Sequence, residues 1–425
     1  MATSITPAQA SGLFKQVYGD RFLKAAPVEK QLQEDFVFEA GDEPGEAFVE
    51  SIRMTEEQGF TFRRGGTAAD TMRPPVALKT EKASILGDIL EFRSRIDFQT
   101  MQRAMNSKQA FKTHVGFRME AMRDSVVKHQ EWSLLQGGRA VAAIASISGS
   151  GVTRTVTLTA GSFAAGFLAS NKNMPLNIYD STSATTTTAV KRNSSAATAK
   201  YSVAAYDLDA GTLTLTADDA NDWTGVVAGD LIWRATSYTN ESPGLLGLTA
   251  NQTATVNGIS AATYAAWRGI VDSTGGTLSM ARVLRLAAKQ AARNGSKSKL
   301  TLRVSPLQFS VLNADLSAAR RYDGSYNRTK GTNGYGAIEY FSPNGIIEVK
   351  THLFMKDSEA HLSDDSHVAR RGVHDITFEQ PNGGEYFLVV PDINAFEYRG
   401  AVQNALLNVR PASSALLTGL TVPAL

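Results

Sequence analysis

The chain contains no cysteine among its 425 residues. That excludes disulfides, thiolate nucleophiles and cysteine-ligated metal centres in one step. Stability beyond a core must then come from burial and from contacts between chains. No run approaches the ~20 consecutive apolar residues that a membrane-spanning helix needs. Ala140 to Ile147 is the kind of run present, and it is far too short. Met1 to Ala10 has neither the basic region nor the apolar stretch of a secretory signal, so we expect a soluble protein made in a cytoplasm. Neither sign of charge dominates: 43 basic and 41 acidic side chains leave a formal net charge of +2. A dedicated nucleic-acid reader concentrates basic charge, and this total gives no reason to expect one. The phosphate-binding G-x-x-x-x-G-K-[ST] loop, the G-x-G-x-x-G fingerprint, the G-x-S-x-G elbow and the H-E-x-x-H helix are all missing. The sequence therefore does not read as an enzyme, and it implies no cofactor and no metal.

What is present is a chain of sharply different segments. Hydrophobic residues make up 43%, enough to build a real core. Residues 1–40 mix short helical patterns with breaks at Gly19-Asp20 and Pro27, as expected of an arm with little core of its own or of an ordinary helix pair. Residues 41–97 hold two strand-like runs, one through Val49, Ile52 and Met54, the other from Ala83 to Phe92. A polar tip from Thr67 to Pro75 lies between them, which predicts a long β-hairpin. Arg63, Arg64, Arg73, Lys79, Lys82, Arg93 and Arg95 lie along it against Glu81, Asp88 and Glu91. Such a hairpin has few core residues of its own and makes sense if another chain covers it.

Residues 98–136 carry apolar positions at Phe98, Met101, Met105, Phe111, Val115, Met119, Met122 and Val126, mostly in steps of three and four. That spacing predicts one amphipathic helix, ended by Gly137-Gly138. At ~1.5 Å per residue, ~40 residues span ~60 Å, so the helix needs an extended body to lie along. Arg103, Lys108, Lys112, Arg118, Glu120, Arg123, Asp124 and Lys128 mark its polar face, whose acids dilute any nucleic-acid contact. Residues 139–240 are rich in Ser, Thr, Ala and Gly. Period-two alternation at Val152–Leu158, Tyr201–Tyr206 and Thr212–Thr216 predicts a small β-barrel or sandwich. Ser181 to Thr188 reads as its polar tip. From 241 onward the pattern returns to mixed α/β, with a helix at Leu278–Arg293, a strand at Leu300–Val304, a helix at Pro306–Asn313 and Gly-rich loops at Asp323–Tyr335. Strands follow at Ala337–Tyr340, Ile346–Val349, Ile376–Phe378, Glu385–Val390 and Ala395–Arg399.

The richest polar cluster runs from His361 to Asp375, with three of the six histidines and the basic pair Arg370 and Arg371. Its spacing fits no zinc pattern, and it reads as a solvated loop or an intersubunit contact. Asp218-Asp219 and Asp364-Asp365 read as loop solubility features, and Trp132 and Trp233 as core anchors.

The order of parts resembles the HK97-type phage capsid fold: an arm, a long hairpin, one very long helix and a mixed body. In that resemblance, 1–40 is the N-terminal arm and 41–97 the E-loop. Residues 98–138 are the spine helix of the peripheral domain, and 241–425 the rest of the peripheral domain plus the axial domain. The fold class is α+β, with 139–240 an all-β domain inserted where many relatives have none. The Gln136-Gly-Gly138 exit and the Pro243-Gly-Leu-Leu-Gly-Leu248 return resemble the linkage such proteins place after the spine helix. The resemblance implies a major capsid protein that self-assembles, as pentamers and hexamers, into an icosahedral shell around double-stranded DNA. It implies a scaffolding protein, a portal and a decoration protein as partners, no membrane, and a virion protein assembled in the host cytoplasm. An encapsulin-like compartment subunit is one alternative, and a surface adhesive protein with a β-rich domain is another. Arg63, Arg64, Arg73, Lys79, Lys82, Arg93, Arg95, Arg370 and Arg371 are the expected intersubunit contacts.

Overall fold

The computed structural model describes residues 29–40, 48–64, 72–85, 87–98, 108–169, 171–180, 192, 201–294, 299–319, 338–342, 345–380, 388–390 and 394–422. Expectations for the arm before residue 29, for the tip between 65 and 71, for 181–191 and for the loops at 320–337 lie outside them.

The Thr/Ser-rich segment closes on itself. Six strands form a barrel in the order Leu231–Arg234, Ala142–Ser148, Thr153–Leu158, Thr212–Ala217, Tyr201–Asp207 and Pro175–Tyr179, the last pairing back to the first. Alternation is clearest in one strand, where Leu213, Leu215 and Ala217 are buried and Thr212, Thr214 and Thr216 between them are half-buried. Tyr201 and Trp223 plug one end edge to face at 5.2 Å, and both polar atoms are satisfied: Tyr201 Oη donates to the Asp222 carbonyl at 2.5 Å, and Trp223 Nε1 to that of Val152 at 2.9 Å. Pro175–Tyr179 was not marked by the sequence, because Leu176, Asn177, Ile178 and Tyr179 are all buried and show no alternation.

The helix Lys108–Gln136 covers 29 residues, ~43 Å of axis; the expected stretch from 99 to 107 lies outside the described residues. Its final turns are buried all round. Trp132 and Leu135 enter the barrel-side core with Phe167, and Lys128, Gln130 and Glu131 are buried too. Lys128 is thus not on a solvated face. Its Nζ donates to the Ala169 carbonyl at 2.5 Å, and burial pulls its pKa down to about 8. At Gly138 the chain takes φ +70° and leaves the helix. It returns beside itself: Gly244 N donates to the Gly137 carbonyl at 3.0 Å. A Cβ on Gly244 would sit 2.6 Å from Gly137 N and from the Ser133 carbonyl, so only glycine permits this crossing.

Two sheets complete the body. The long strand Ala395–Asn408 is central to the first, flanked by Asp88–Asp97 on one side and by Val368–Phe378 and Leu388–Val389 on the other, all antiparallel. Phe38–Ala40 adds a parallel edge to Val368–Phe378. The second sheet is six-stranded and mixed, in the order Ile270–Asp272, Ser414–Leu417, Ala360–Ser363, Leu300–Val304, Gly345–Thr351 and Ile338–Ser342. The helix Met280–Asn294 covers it with Val283, Leu286 and Ala287, and the helix Pro306–Ala319 contributes Leu312 and Phe309.

Two expectations are corrected here. The second hairpin arm ends at Ile85, and after Gly87 (φ +76°) the chain enters the body sheet, with Asp88 opposite Asn404. The His361–Asp375 cluster is a buried strand, a tight turn and another strand, and no solvated loop. Most of its polar groups are tolerated inside because they have partners, although His361 Nδ1 and Arg371 Nε are buried without one. His361 Nε2 lies 2.8 Å from Thr249 Oγ1, and burial, with Arg303 nearby, lowers its pKa to about 3. Arg303, fully buried, forks onto Asp365 at 2.8 and 2.9 Å and reaches Asp35 at 2.7 Å.

Candidate assembly surface

The hairpin arms Phe48–Arg53 and Thr80–Ile85 pair antiparallel, Phe48 opposite Ile85 and Arg53 opposite Thr80. Pairing continues outward through Met54 N to the Lys79 carbonyl at 2.9 Å, then the reciprocal bridge of Gln58 and Val76. The base is anchored. Ala83, Ile85, Phe48 and Ile52 pack against Ile259, Ala261, Trp267 and Leu407. Tyr264 Oη donates to Glu81 Oε1 at 2.6 Å, and Lys79 Nζ lies 2.9 Å from the same oxygen and 5.3 Å above the Tyr264 ring. The Tyr264 hydrogen bond, then Lys79, holds the Glu81 carboxyl below its usual range and keeps it a partner for Lys79.

Beyond the Gln58–Val76 bridge this support ends. Phe60 is 72% exposed, Phe62 97% and Met72 82%, and Val76 and Leu78 are exposed beside them. Burying a large apolar side chain is worth ~1.5–3 kcal/mol each, so a hairpin that leaves these in water lacks a covering surface. The basic candidates divide accordingly. Arg63, Arg64, Arg73 and Lys82 are exposed on this hairpin, and Arg93 is exposed on the body strand that follows. Lys79 and Arg95 are exposed as well but pair within the chain, Arg95 Nε donating to Glu397 Oε2 at 2.5 Å. Arg95, then Arg399, pulls the Glu397 pKa down to about 2. Arg371 bridges Glu50 at 3.0 Å and Glu39 at 3.1 Å, tying the hairpin and the N-terminal segment to the sheet. Arg370 is no surface contact at all. It is buried, pairs with Asp375, donates to Asn404 Oδ1 at 3.3 Å and covers the Phe38 ring.

One cluster has the composition of a metal centre: Glu29, Glu131 and His352 bring their ligand atoms within 4.8 Å of one another. Its hydrogen bonds argue for a clamp. His352 Nδ1 accepts from Phe354 N at 3.1 Å, so in the neutral ring Nε2 carries the proton and donates to Glu131 Oε1 at 3.0 Å. Glu131 also accepts from Leu32 N at 2.5 Å and Gln33 N at 3.2 Å. The group holds the N-terminal helical turn Gln31–Asp35 on the long helix and has no imidazole lone pair left for an ion. The sequence reading missed both Glu131 and the apolar hairpin tip. The tip carried a signal, since Phe60 and Phe62 stand in a segment with no second apolar face to meet them.

No protein-family model matches this chain, and no curated protein matches it. Solved structures do. A chain of the cyanophage A-1(L) capsid asymmetric unit aligns with TM-score 0.56 at 14% identity, covering 98% of this chain and 99% of that one. A Gordonia phage Cozz structure gives 0.47 at 10% identity, with 99% and 96% covered. The holo-SrpI encapsulin complex from Synechococcus elongatus gives 0.43 at 7%, with 99% and 97% covered. The first of these carries the assignment: over almost its whole length, this mixed α+β chain has the fold of a phage capsid chain.

Proposed function

We propose that the protein is the major capsid subunit of a tailed phage and assembles, as pentamers and hexamers, into an icosahedral shell enclosing double-stranded DNA. The observation that carries this is the end-to-end likeness to the cyanophage capsid chain, and the bare apolar tip of the hairpin supports it. The role is structural, and no catalytic chemistry is assigned to any residue. In HK97 terms the hairpin is the E-loop, Lys108–Gln136 the spine helix, and the sheet around Ala395–Asn408 the peripheral domain. The mixed six-stranded sheet is the axial domain. The barrel is an insertion, a reading supported by the exit and return of the chain at the touching pair Gly137 and Gly244. Phe60, Phe62 and Met72 lie on a neighbouring subunit, with Arg63, Arg64, Arg73, Lys82 and Arg93 pairing to its acids. Exposed pairs give ~0–1 kcal/mol each, so the apolar tip supplies most of the contact. A scaffolding protein, a portal and a decoration protein are the further partners, and the virion is the location.

Electron microscopy of the purified protein tests the reading. Closed shells are expected, and Phe60→Ser with Phe62→Ser should abolish them while the subunit stays folded. A wild-type protein that remains monomeric at high concentration would overturn it. Shells carrying protein cargo and no nucleic acid would move the assignment to an encapsulin-like compartment.

A further inference from the structure

The total charge conceals one segregated patch. The helix Met280–Asn294 reads MARVLRLAAKQAARN, with four basic residues and no acid. Val283, Leu286, Ala287 and Gln290 turn inward, and Gln290 Nε2 donates to the Leu362 and Ser413 carbonyls at 3.0 and 2.8 Å. The outward face is then Ala281, Leu284, Arg285, Ala288, Lys289, Ala292 and Arg293, all exposed. It holds cations and small or apolar side chains only. A solvated helix face ordinarily interleaves both signs, as the long helix does with Glu120, Arg123 and Asp124. Here Arg285, Lys289 and Arg293 stand at successive i, i+4 positions and repel one another. Only Arg293, in the last turn, is favoured by the backbone dipole. Asp272 relieves the other end alone, 3.2 Å from Arg282 and 3.4 Å from Arg285. Lys289 and Arg293 have no ion-pair partner among the described residues. The dipole accounts for Arg293 alone, so helix stability gives no reason for Arg285 and Lys289 beside it.

We propose that this face is a binding surface for the phosphate backbone of nucleic acid. The spacing fits. Four residues of helix rise ~6 Å, so the three cations span ~12 Å and can contact several phosphates of a backbone laid along them. Ala281, Ala288 and Ala292 keep the face flat, which lets a rod lie against it. Cations that meet phosphates carry no sequence information, so binding at the backbone is independent of sequence. The inference rests on the capsid reading for its biological sense, since a shell around DNA presents such a surface to its contents. The binding chemistry itself does not depend on assembly.

The test is the salt dependence of binding between the full-length protein and a fluorescent mixed-sequence duplex. Arg285→Gln with Lys289→Gln and Arg293→Gln should lower the slope of log K against log salt by about 2.7, or about 0.9 for each single change. Wild-type affinity should accordingly fall about 500-fold more than that of the triple variant over a tenfold rise in salt. The hairpin variant Arg63→Gln with Arg64→Gln should keep the wild-type slope. An unchanged slope in the triple variant overturns the proposal. So does poly-glutamate that binds as tightly as DNA and loses affinity with the same substitutions, which would make the partner an acidic protein. Micrographs of the triple variant keep the two readings apart, because shells should form normally with the stripe removed.

Discussion

The barrel and the hairpin are both antiparallel β-structure in one chain, yet they meet their physical needs in opposite ways. The barrel closes its hydrogen-bond ladder on itself and fills its interior with Ile144, Val156, Leu176, Val203, Leu213 and Leu215. That interior is continuous with the body core through Phe167, which packs on Trp132 and Phe354. The hairpin has a core at its base only and carries Phe60, Phe62 and Met72 into water. A strand pair with one unsupported end is marginal alone. The difference teaches that the same local grammar yields either a finished module or half of an interface, depending on where the large apolar residues sit.

The contrast can be broken in four places. Leu215→Ala opens a cavity in the closed barrel and should cost ~2–5 kcal/mol, read by denaturant unfolding. A loss under 1 kcal/mol would mean a barrel less well packed than described. Gly244→Ala forces a Cβ against Gly137 N at 2.6 Å where the barrel joins the body, and ~1–3 kcal/mol is expected in the same assay. Glu397→Gln probes the ion pair that holds Arg95, on the strand continuing from the hairpin, to the central strand of the sheet. The folded Glu397 carboxyl sits at about 2, below the ordinary ~4.3, so its contribution is complete above that ordinary value. It is lost as pH falls through about 2. The wild type should therefore melt above the variant near neutral pH, and the gap should close towards pH 2. A gap that persists at that pH would remove Arg95 and Arg399 as its cause. Phe62→Ala should change subunit stability by less than ~0.5 kcal/mol, because the ring has nothing to lose. A larger loss would show that the tip folds back on its own body.

Much of the fold was legible where local pattern and tertiary role agree. Thr212–Ala217 alternates because one face is wet, and Gly137-Gly138 ends the long helix because its φ requires glycine. Other elements were hidden for physical reasons. Ala360–Ser363 and Ser414–Leu417 are buried on both faces and contain His361, Ser363 and Ser414, so neither periodicity nor polarity marks them as core. The pairing of Asp88–Asp97 with Ala395–Asn404 joins segments some 300 residues apart, and only the single punctuation of Gly87 separates that strand from the hairpin. Of the candidate contacts, Arg370 was misread because a buried arginine with an aspartate partner looks, in sequence, like any surface cation.

The touching glycines at 137 and 244 bear on what could replace the chain between them. A segment whose two ends lie one hydrogen bond apart, 3.0 Å, can be excised or exchanged without moving the ends of what remains. Residues 137–244 are tied to the body by more than those ends, since Phe167 packs on Trp132 at 4.1 Å and on Phe354 at 5.7 Å. A short graft joining Gln136 to Leu245 should accordingly keep the two ends in place but uncover Trp132 and Phe354, a loss of stability that denaturant unfolding would read.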